Sequence, residues 1–143
     1  MLPEQYRIMV VDDEPAIAEG IADTLAALTG HIYHPFSDAL QALAAYTARP
    51  YNLVLTDVTM PGLSGFELVA KMKIAHPGTD FIVITAHKSK DVVYQAHILG
   101  AANILYKPLN MEELETAVHD CHRKFLTWQG RFQEVSFINQ NFT

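Results

Sequence analysis

Short apolar runs alternate with amphipathic segments along the whole 143-residue chain. The runs are rich in β-branched residues and stop abruptly at polar ones, which predicts strands buried on both faces of a sheet. The segments between them repeat apolar residues at spacings of three and four, which predicts helices. The predicted strands cover residues 7–11, 31–36, 52–56, 81–84 and 103–106, and each is followed by a predicted helix.

Five strand–helix units predict an α/β fold, in which a five-stranded parallel sheet is covered by helices on both faces. This number of units suits an open, flavodoxin-like (βα)5 three-layer sandwich with strand order 2-1-3-4-5. It is too small for a closed barrel of eight units. Pro35 lacks an amide hydrogen, so the second strand is predicted to lie at an edge of the sheet.

The composition fits a single globular domain, with 50% hydrophobic and 18% charged residues. The net charge is −6, and residues 1–70 alone hold two bases against nine acids, a balance of −7. This charge disfavours a protein that wraps nucleic acid or an anionic membrane. A single cysteine, Cys121, excludes an intramolecular disulfide framework, and the N-terminus has no signal-peptide or membrane-span pattern. We therefore predict a cytoplasmic location and no membrane insertion.

The chemically distinctive residues follow the predicted strands directly. Asp12 and Asp13 follow the first strand, Asp57 the third, Thr85 the fourth and Lys107 the fifth. The carboxyl ends of parallel strands meet at one edge of a sheet, so these side chains should converge there. Converging carboxylates require a hard cation such as Mg²⁺, with Mn²⁺ as the alternative ion. A phosphoryl group bound to that ion would find a positive partner in Lys107, a hydroxyl in Thr85 and a nucleophile in Asp57.

Four segments together resemble the receiver domain of two-component response regulators: VVDDE at 10–14, LVLTDVTMPGLSG at 53–65, VITA at 83–86 and YKPL at 106–109. Their order and their position at successive strand ends make the resemblance specific. We assign residues 1–125 to the receiver domain. Residues 126–143 are interpreted as a C-terminal helical extension or tail that is too short for a complete output domain.

The resemblance implies a phosphorelay function. Asp57 would accept a phosphoryl group from a phosphohistidine of a sensor histidine kinase or a histidine phosphotransfer protein. Asp12, Asp13, Asp57 and the main-chain carbonyl of Thr59 would bind Mg²⁺. The protein would act as a signalling receiver that catalyses only its own phosphorylation and dephosphorylation.

The resemblance also assigns supporting roles. Thr85 would donate a hydrogen bond to a phosphoryl oxygen and Lys107 would pair with another, and the Lys107–Pro108 bond corresponds to a junction that is usually cis in the family. Thr59 and His87, two residues beyond the acceptor and Thr85, would control access of the hydrolytic water. In receivers an aromatic often stands three residues before the lysine. Here that position is Ile104 and Tyr106 precedes the lysine directly, which predicts intact chemistry with an atypical readout.

Three alternatives share either this chemistry or this fold. A haloacid-dehalogenase-type phosphatase needs a second acid two residues after its nucleophile, where this chain has Thr59. A flavin-binding module needs a first loop that attracts phosphate, whereas Asp12, Asp13 and Glu14 would repel it. An unphosphorylated interaction module would be expected to lack the acceptor or one of the paired acids, and all are present.

The last predicted helix carries two further patterns. Trp128 and Phe132 are expected either to pack back on the domain or to pair with a second chain as a homodimer, because the nearby bases are too few for nucleic acid. His119 and His122 are interpreted as solvated helix histidines instead of metal ligands.

Overall fold

The computed structural model describes the backbone of residues 5–142 and the side chains of residues 5–136. Strands and helices alternate throughout this part of the chain. The strands are β1 (Arg7–Val11), β2 (Ile32–Phe36), β3 (Leu53–Asp57), β4 (Asp80–Thr85) and β5 (Asn103–Tyr106). The helices are α1 (Pro15–Thr29), α2 (Ala39–Ala48), α3 (Gly65–Ala75), α4 (Lys90–Ile98) and α5 (Met111–Phe142).

The strands form one parallel sheet in the order β2-β1-β3-β4-β5. This order confirms the predicted flavodoxin-like fold. Strand β2 lies at one edge, as Pro35 predicted. The predicted strands β3 and β4 each ended one residue too early, because Asp57 still pairs with Ile84 and Thr85 with Tyr106. Both polar residues therefore belong to the rigid sheet.

Two hydrophobic cores lie on opposite faces of the sheet, because successive side chains of each strand point to opposite faces. In β1, Ile8 and Val10 pack with α1 and α5, whereas Met9 and Val11 pack with α2 and α3. Sheet residues covered on both faces are almost fully buried. This burial fixes the positions of the residues at the strand ends.

Several helices begin at a capping side chain that accepts a backbone N–H. Asp38 caps α2, Ser64 caps α3 and Ser89 caps α4. Helix α1 has Pro15 in its first turn and ends at Gly30, whose φ of 75° is in the left-handed region. The helices are therefore started and stopped by local sequence signals.

Helix α5 has 32 residues and runs without interruption past residue 125. Leu114, Val118 and Cys121 are buried in the core, and Phe125 packs partly against it. Beyond Phe125, α5 side chains are exposed or half-buried up to Ser136. In the described part of the chain no helix is long and apolar enough to cross a membrane.

Candidate functional site

Three aspartates meet at the carboxyl edge of the sheet. Asp12 follows β1 and is 3% exposed, whereas Asp57 ends β3 and is 8% exposed. Asp13 is exposed beside them, and one carboxylate oxygen from each of the three lies within 4.8 Å of the others. The predicted convergence of the acids is therefore present in the structure.

Lys107 connects the two buried carboxylates. Its Nζ lies 2.8 Å from Oδ2 of Asp57 and 3.1 Å from Oδ2 of Asp12. The backbone N–H of Lys107 also donates to the carbonyl of Thr85 at 2.9 Å, and the Lys107–Pro108 peptide bond is cis. The lysine is thus held by both its main chain and its side chain.

The pKa of Lys107 reflects two opposing effects. Burial by itself lowers the pKa of an ammonium group, but the hydrogen bonds and negative charges of Asp57 and Asp12 outweigh it, so the pKa of Lys107 is raised above its ordinary value. The ammonium therefore stays protonated at neutral pH. It is a permanent cation next to the candidate acceptor.

Backbone amides hold both buried carboxylates in place. The N–H of Glu14 donates to Oδ1 of Asp12 at 3.0 Å, and the N–H of Thr59 donates to Oδ1 of Asp57 at 3.2 Å. Each aspartate thus has one oxygen on the backbone and the other on Lys107. The orientation of both carboxylates is fixed by the loops that follow β1 and β3.

Thr85 is fully buried at the end of β4. Its Oγ accepts a hydrogen bond from the backbone N–H of His87 at 2.9 Å. The side chains of His87 and Thr59 are both exposed on the loops that follow β4 and β3. The structure therefore places these two predicted modulating residues at the solvent side of the acidic cluster.

Ile104 and Tyr106 lie two residues apart on β5, and hence on the same face of the sheet. Both are half-buried. The ammonium of Lys88 lies 5.2 Å from the ring centroid of Tyr106, within the range of a cation–π contact. Tyr106 borders a groove with α4 residues that include Val93 and Tyr94.

Gly65 is a position beside the acidic cluster to which the sequence pattern assigned no role. A Cβ at this position would lie 1.9 Å from the carbonyl oxygen of Asp57 and 3.0 Å from Cα of Val58. The N–H of Gly65 also donates to the carbonyl of Val58 at 2.8 Å. The glycine lets α3 begin directly against the end of β3. The signal for this close approach was the glycine within the LVLTDVTMPGLSG segment.

A second missed feature is an aromatic cluster at the opposite side of the domain. His31 and His122 have ring centroids 4.3 Å apart, and both lie within about 5 Å of the Tyr6 ring. The interpretation of His122 as a solvated histidine was wrong, because this ring is half-buried against Tyr6, whereas His119 is exposed as expected. The contact joins the loop before β2 to α5, so sequence spacing within α5 could not reveal it.

The donor set of the acidic cluster fits a hard divalent cation. All three side-chain donors are carboxylate oxygens, and they lie close enough to share one ion. Oxygen ligands of this kind are those that Mg²⁺ and Mn²⁺ prefer, and one or two protein carboxylates with water commonly complete a Mg²⁺ site. Lys107 neutralises part of the charge and leaves the exposed Asp13 free of any ion pair among the described side chains.

Comparison with known proteins gives a consistent result. Residues 8–119 match the family described as the response regulator receiver domain. The probable transcriptional regulatory protein NarL of Mycobacterium tuberculosis is 34% identical over 121 residues, which is 83% of this chain and 56% of that protein. The probable chemotaxis protein CheY of Rhizobium etli is 28% identical over 82% of this chain and 92% of its own length.

Solved structures agree with these relatives. A response regulator receiver domain protein from Clostridium thermocellum superposes with a TM-score of 0.75 at 30% identity, covering 85% of this chain and 98% of its own. The chain spans about half the length of the first curated relatives that it resembles, which are transcriptional regulators. The family match covers most of the chain and includes every residue of the acidic cluster. The chain therefore belongs to the receiver domain family of response regulators.

Proposed function

We propose that this protein is a phosphoryl-accepting receiver in a two-component or phosphorelay system, with Asp57 as the acceptor. The observation that carries the proposal is the 2.8 Å contact between Lys107 and Asp57 inside a cluster of three carboxylates. Lys107 places a fixed cation beside Asp57, where it can pair with an oxygen of an arriving phosphoryl group.

The proposed reaction is an in-line phosphoryl transfer. A carboxylate oxygen of Asp57 forms the new P–O bond as the P–N bond of a phosphohistidine breaks, and the donor imidazole leaves with the bond's electron pair. Lys107 then pairs with a phosphoryl oxygen. The hydroxyl of Thr85 turns to donate a hydrogen bond to another phosphoryl oxygen. Hydrolysis reverses the modification, as a water attacks phosphorus and releases inorganic phosphate from the Asp57 carboxylate.

Asp12, Asp13 and Asp57, with the main-chain carbonyl of Thr59, are the proposed ligands of Mg²⁺ or Mn²⁺. The ion would neutralise negative charge on the phosphoryl oxygens when bound. Asp12 and Asp57 are each oriented by one backbone amide, and Asp13 is the acid that solvent and an ion can reach.

The proposed phosphodonor is a phosphohistidine on a sensor histidine kinase or a histidine phosphotransfer protein. Both donors present a phosphorylated imidazole, and the edge of the sheet that holds Asp57 is open to solvent at Thr59 and His87. We propose a cytoplasmic location for the protein together with this partner. We expect no direct binding of nucleic acid by this chain and no catalysis on a separate substrate.

Intact-mass spectrometry tests the proposal. After incubation with Mg²⁺ and a small phosphodonor such as acetyl phosphate, the wild-type protein should gain one phosphate, and Asp57→Asn should gain none. Asp38→Asn is a suitable control. Asp38 is an exposed aspartate at the start of α2, and its side chain accepts a hydrogen bond from a backbone N–H, as that of Asp57 does. Absence of an adduct on the wild type with every donor tried, or an equal adduct on Asp57→Asn, contradicts the proposal.

The same incubation separates a receiver from a phosphatase. A receiver forms the adduct with activated phosphodonors, and the only phosphate that it releases comes from hydrolysis of its own adduct. Sustained hydrolysis of simple alkyl phosphate esters would contradict our proposal. We expect none, because the exposed Thr59 has no carboxyl proton to give to an alcohol leaving group.

A further inference from the structure

One apolar stripe runs along α5 from the part that packs on the domain, here called the body (residues 5–125), into the extension that follows it (residues 126–142). Its members recur at alternating spacings of four and three residues, which keeps them on one side of the helix: Leu114, Val118, Cys121, Phe125, Trp128, Phe132 and Val135. The first four pack against the core of the domain. The last three, here called the distal stripe, are 59%, 72% and 55% exposed, respectively.

The body of the domain ends before the distal stripe begins. Near this point α5 contacts the body through the Phe125 ring, 5.3 Å from the Tyr6 ring, and through the ion pair of Lys124 with Asp80 at 3.3 Å. Residues 126–142 of the helix rise about 25 Å beyond these contacts. Among the described residues no other element covers the distal stripe, which leaves it open to a second molecule.

We propose that a second copy of this chain covers the distal stripe, with the two α5 extensions packed antiparallel. The distal stripe lies on the same side of α5 as the body, so a partner helix that covers the stripe runs on that side, just beyond the C-terminal end of the body. In a parallel pair, the two bodies would lie at the same end of the helices and on the side facing the partner, where they would overlap. Antiparallel helices place the two bodies at opposite ends and let each extension lie along the other.

The charges of the extension favour the same arrangement. Residues 126–136 contain one base and one acid, Arg131 and Glu134, which pair with each other at 3.3 Å. The extension is therefore neutral in this segment, whereas the whole chain carries −6. Two copies can bring their neutral extensions together while their acidic bodies stay apart. Equal stripes on identical helices also satisfy the two-fold symmetry of a homodimer.

Analytical ultracentrifugation of the full chain tests the interface. We expect a reversible monomer–dimer equilibrium at micromolar concentrations, without phosphodonor. Phe132→Glu should raise the dimer Kd about tenfold or more, because it places a charge in the centre of the distal stripe. Leu126→Glu is the matched control. Leu126 is 48% exposed on another side of α5 and should tolerate the charge without change in Kd.

Either of two results would overturn the interface: a wild type that stays monomeric throughout, or a dimer that Phe132→Glu leaves unchanged. Circular dichroism of both variants checks that α5 remains helical. Because Phe132 and Leu126 both lie beyond the body, neither substitution removes a contact from the core. Neither measurement requires phosphorylation at Asp57, so the interface is tested independently of the proposed function.

Disulfide trapping tests the orientation, in a Cys121→Ala background that removes the native thiol. A disulfide needs two Cα atoms within about 7 Å. Antiparallel helices with Phe132 near the two-fold axis predict that a mixture of Trp128→Cys and Val135→Cys chains forms the mixed dimer. Trp128→Cys chains alone should stay reduced. An efficient disulfide between two Trp128→Cys chains would indicate parallel helices and overturn the antiparallel arrangement.

Discussion

Lys107 lies 2.8 Å from Asp57, although 50 residues separate them along the chain, and its second contact is with Asp12 at 3.1 Å. One ammonium therefore serves two buried carboxylates. The third acid of the cluster, Asp13, has no cation among the described side chains. The three carboxylates carry three negative charges against the one positive charge of Lys107, so the cluster has a net charge of −2 and Asp13 is its unpaired member.

Asp13→Asn should therefore stabilise the metal-free protein while weakening metal binding. Removing the unpaired charge lowers repulsion in the cluster, and we expect a rise in Tm of about 1–2 °C without metal, since exposed charge interactions are weak. Mg²⁺ should raise the Tm of the wild type more than that of the variant, because a ligand that binds only the folded state stabilises it. Differential scanning calorimetry with and without Mg²⁺ measures both effects.

Asp23→Asn is the control for the charge itself, because Asp23 is an exposed aspartate on α1. It should leave the Mg²⁺-induced rise in Tm unchanged. An Asp13→Asn protein that responds to Mg²⁺ as strongly as the wild type would contradict the assignment of Asp13 as a ligand.

His87→Ala should change the lifetime of the phosphorylated protein. The His87 side chain is exposed at the acidic edge, while its backbone N–H binds the hydroxyl of Thr85. Truncation leaves the backbone contact in place and opens a path for water, so we expect dephosphorylation to accelerate about threefold or more, which corresponds to about 0.6 kcal/mol or more in activation free energy. Loss of phosphate from the purified acyl phosphate, followed by mass spectrometry, gives the rate.

His76→Ala is the matched control, since His76 is exposed at the end of α3. It should leave the lifetime unchanged. Equal lifetimes for the wild type and His87→Ala would exclude a role of the imidazole in controlling water.

The sequence predicted the acidic cluster because its members stand at strand ends, where a parallel sheet brings residues together whatever their separation in the chain. The proximity of Asp57 and Lys107 could therefore be predicted from their places at the ends of two strands. The contact of His31 with His122 could not, because it depends on how the end of α1 packs against the side of α5. The approach of Gly65 to Asp57 is likewise set by the angle at which α3 leaves β3, and strand and helix patterns do not specify that angle.

Gly65→Ala should destabilise the protein and impair phosphorylation together. A Cβ would lie 1.9 Å from the carbonyl oxygen of Asp57, so the backbone of β3 or α3 must shift. Overpacking of this kind costs about 1–3 kcal/mol in the free energy of unfolding. Urea unfolding measures the loss, and the rate of adduct formation on Asp57 reports the displacement of the acceptor.

Gly20→Ala provides the opposite case. Gly20 lies within α1, and a Cβ there would meet nothing within 4 Å. This variant should gain about 0.5–1 kcal/mol, because alanine loses less backbone entropy on forming a helix. A Gly65→Ala protein as stable as Gly20→Ala would contradict the close approach of α3 to Asp57.

The histidine pair at α5 predicts a pH dependence of stability that is separate from the acidic cluster. Burial lowers the pKa of His31, and the nearby His122 and His119 lower it further. Burial likewise lowers the pKa of His122, with a further contribution from His119. The unfolded chain therefore binds protons more readily than the folded protein at these two positions. Glu112 and Glu115 line the same groove as the two imidazoles.

His31→Gln combined with His122→Gln should flatten this dependence. Because both pKa values lie below the ordinary 6.5 in the folded protein, their contribution is fully present above that pH and is lost as pH falls below it. Between pH 7.5 and 5.5 the wild type should lose more stability than the double variant, by an amount limited by the partial exposure of both rings. Urea unfolding across this range gives the slope of stability against pH for each protein.

His76→Gln, at an exposed histidine, should keep the wild-type slope. Equal slopes for the wild type and the double variant would show that protons bind the pair equally well in the folded and unfolded states.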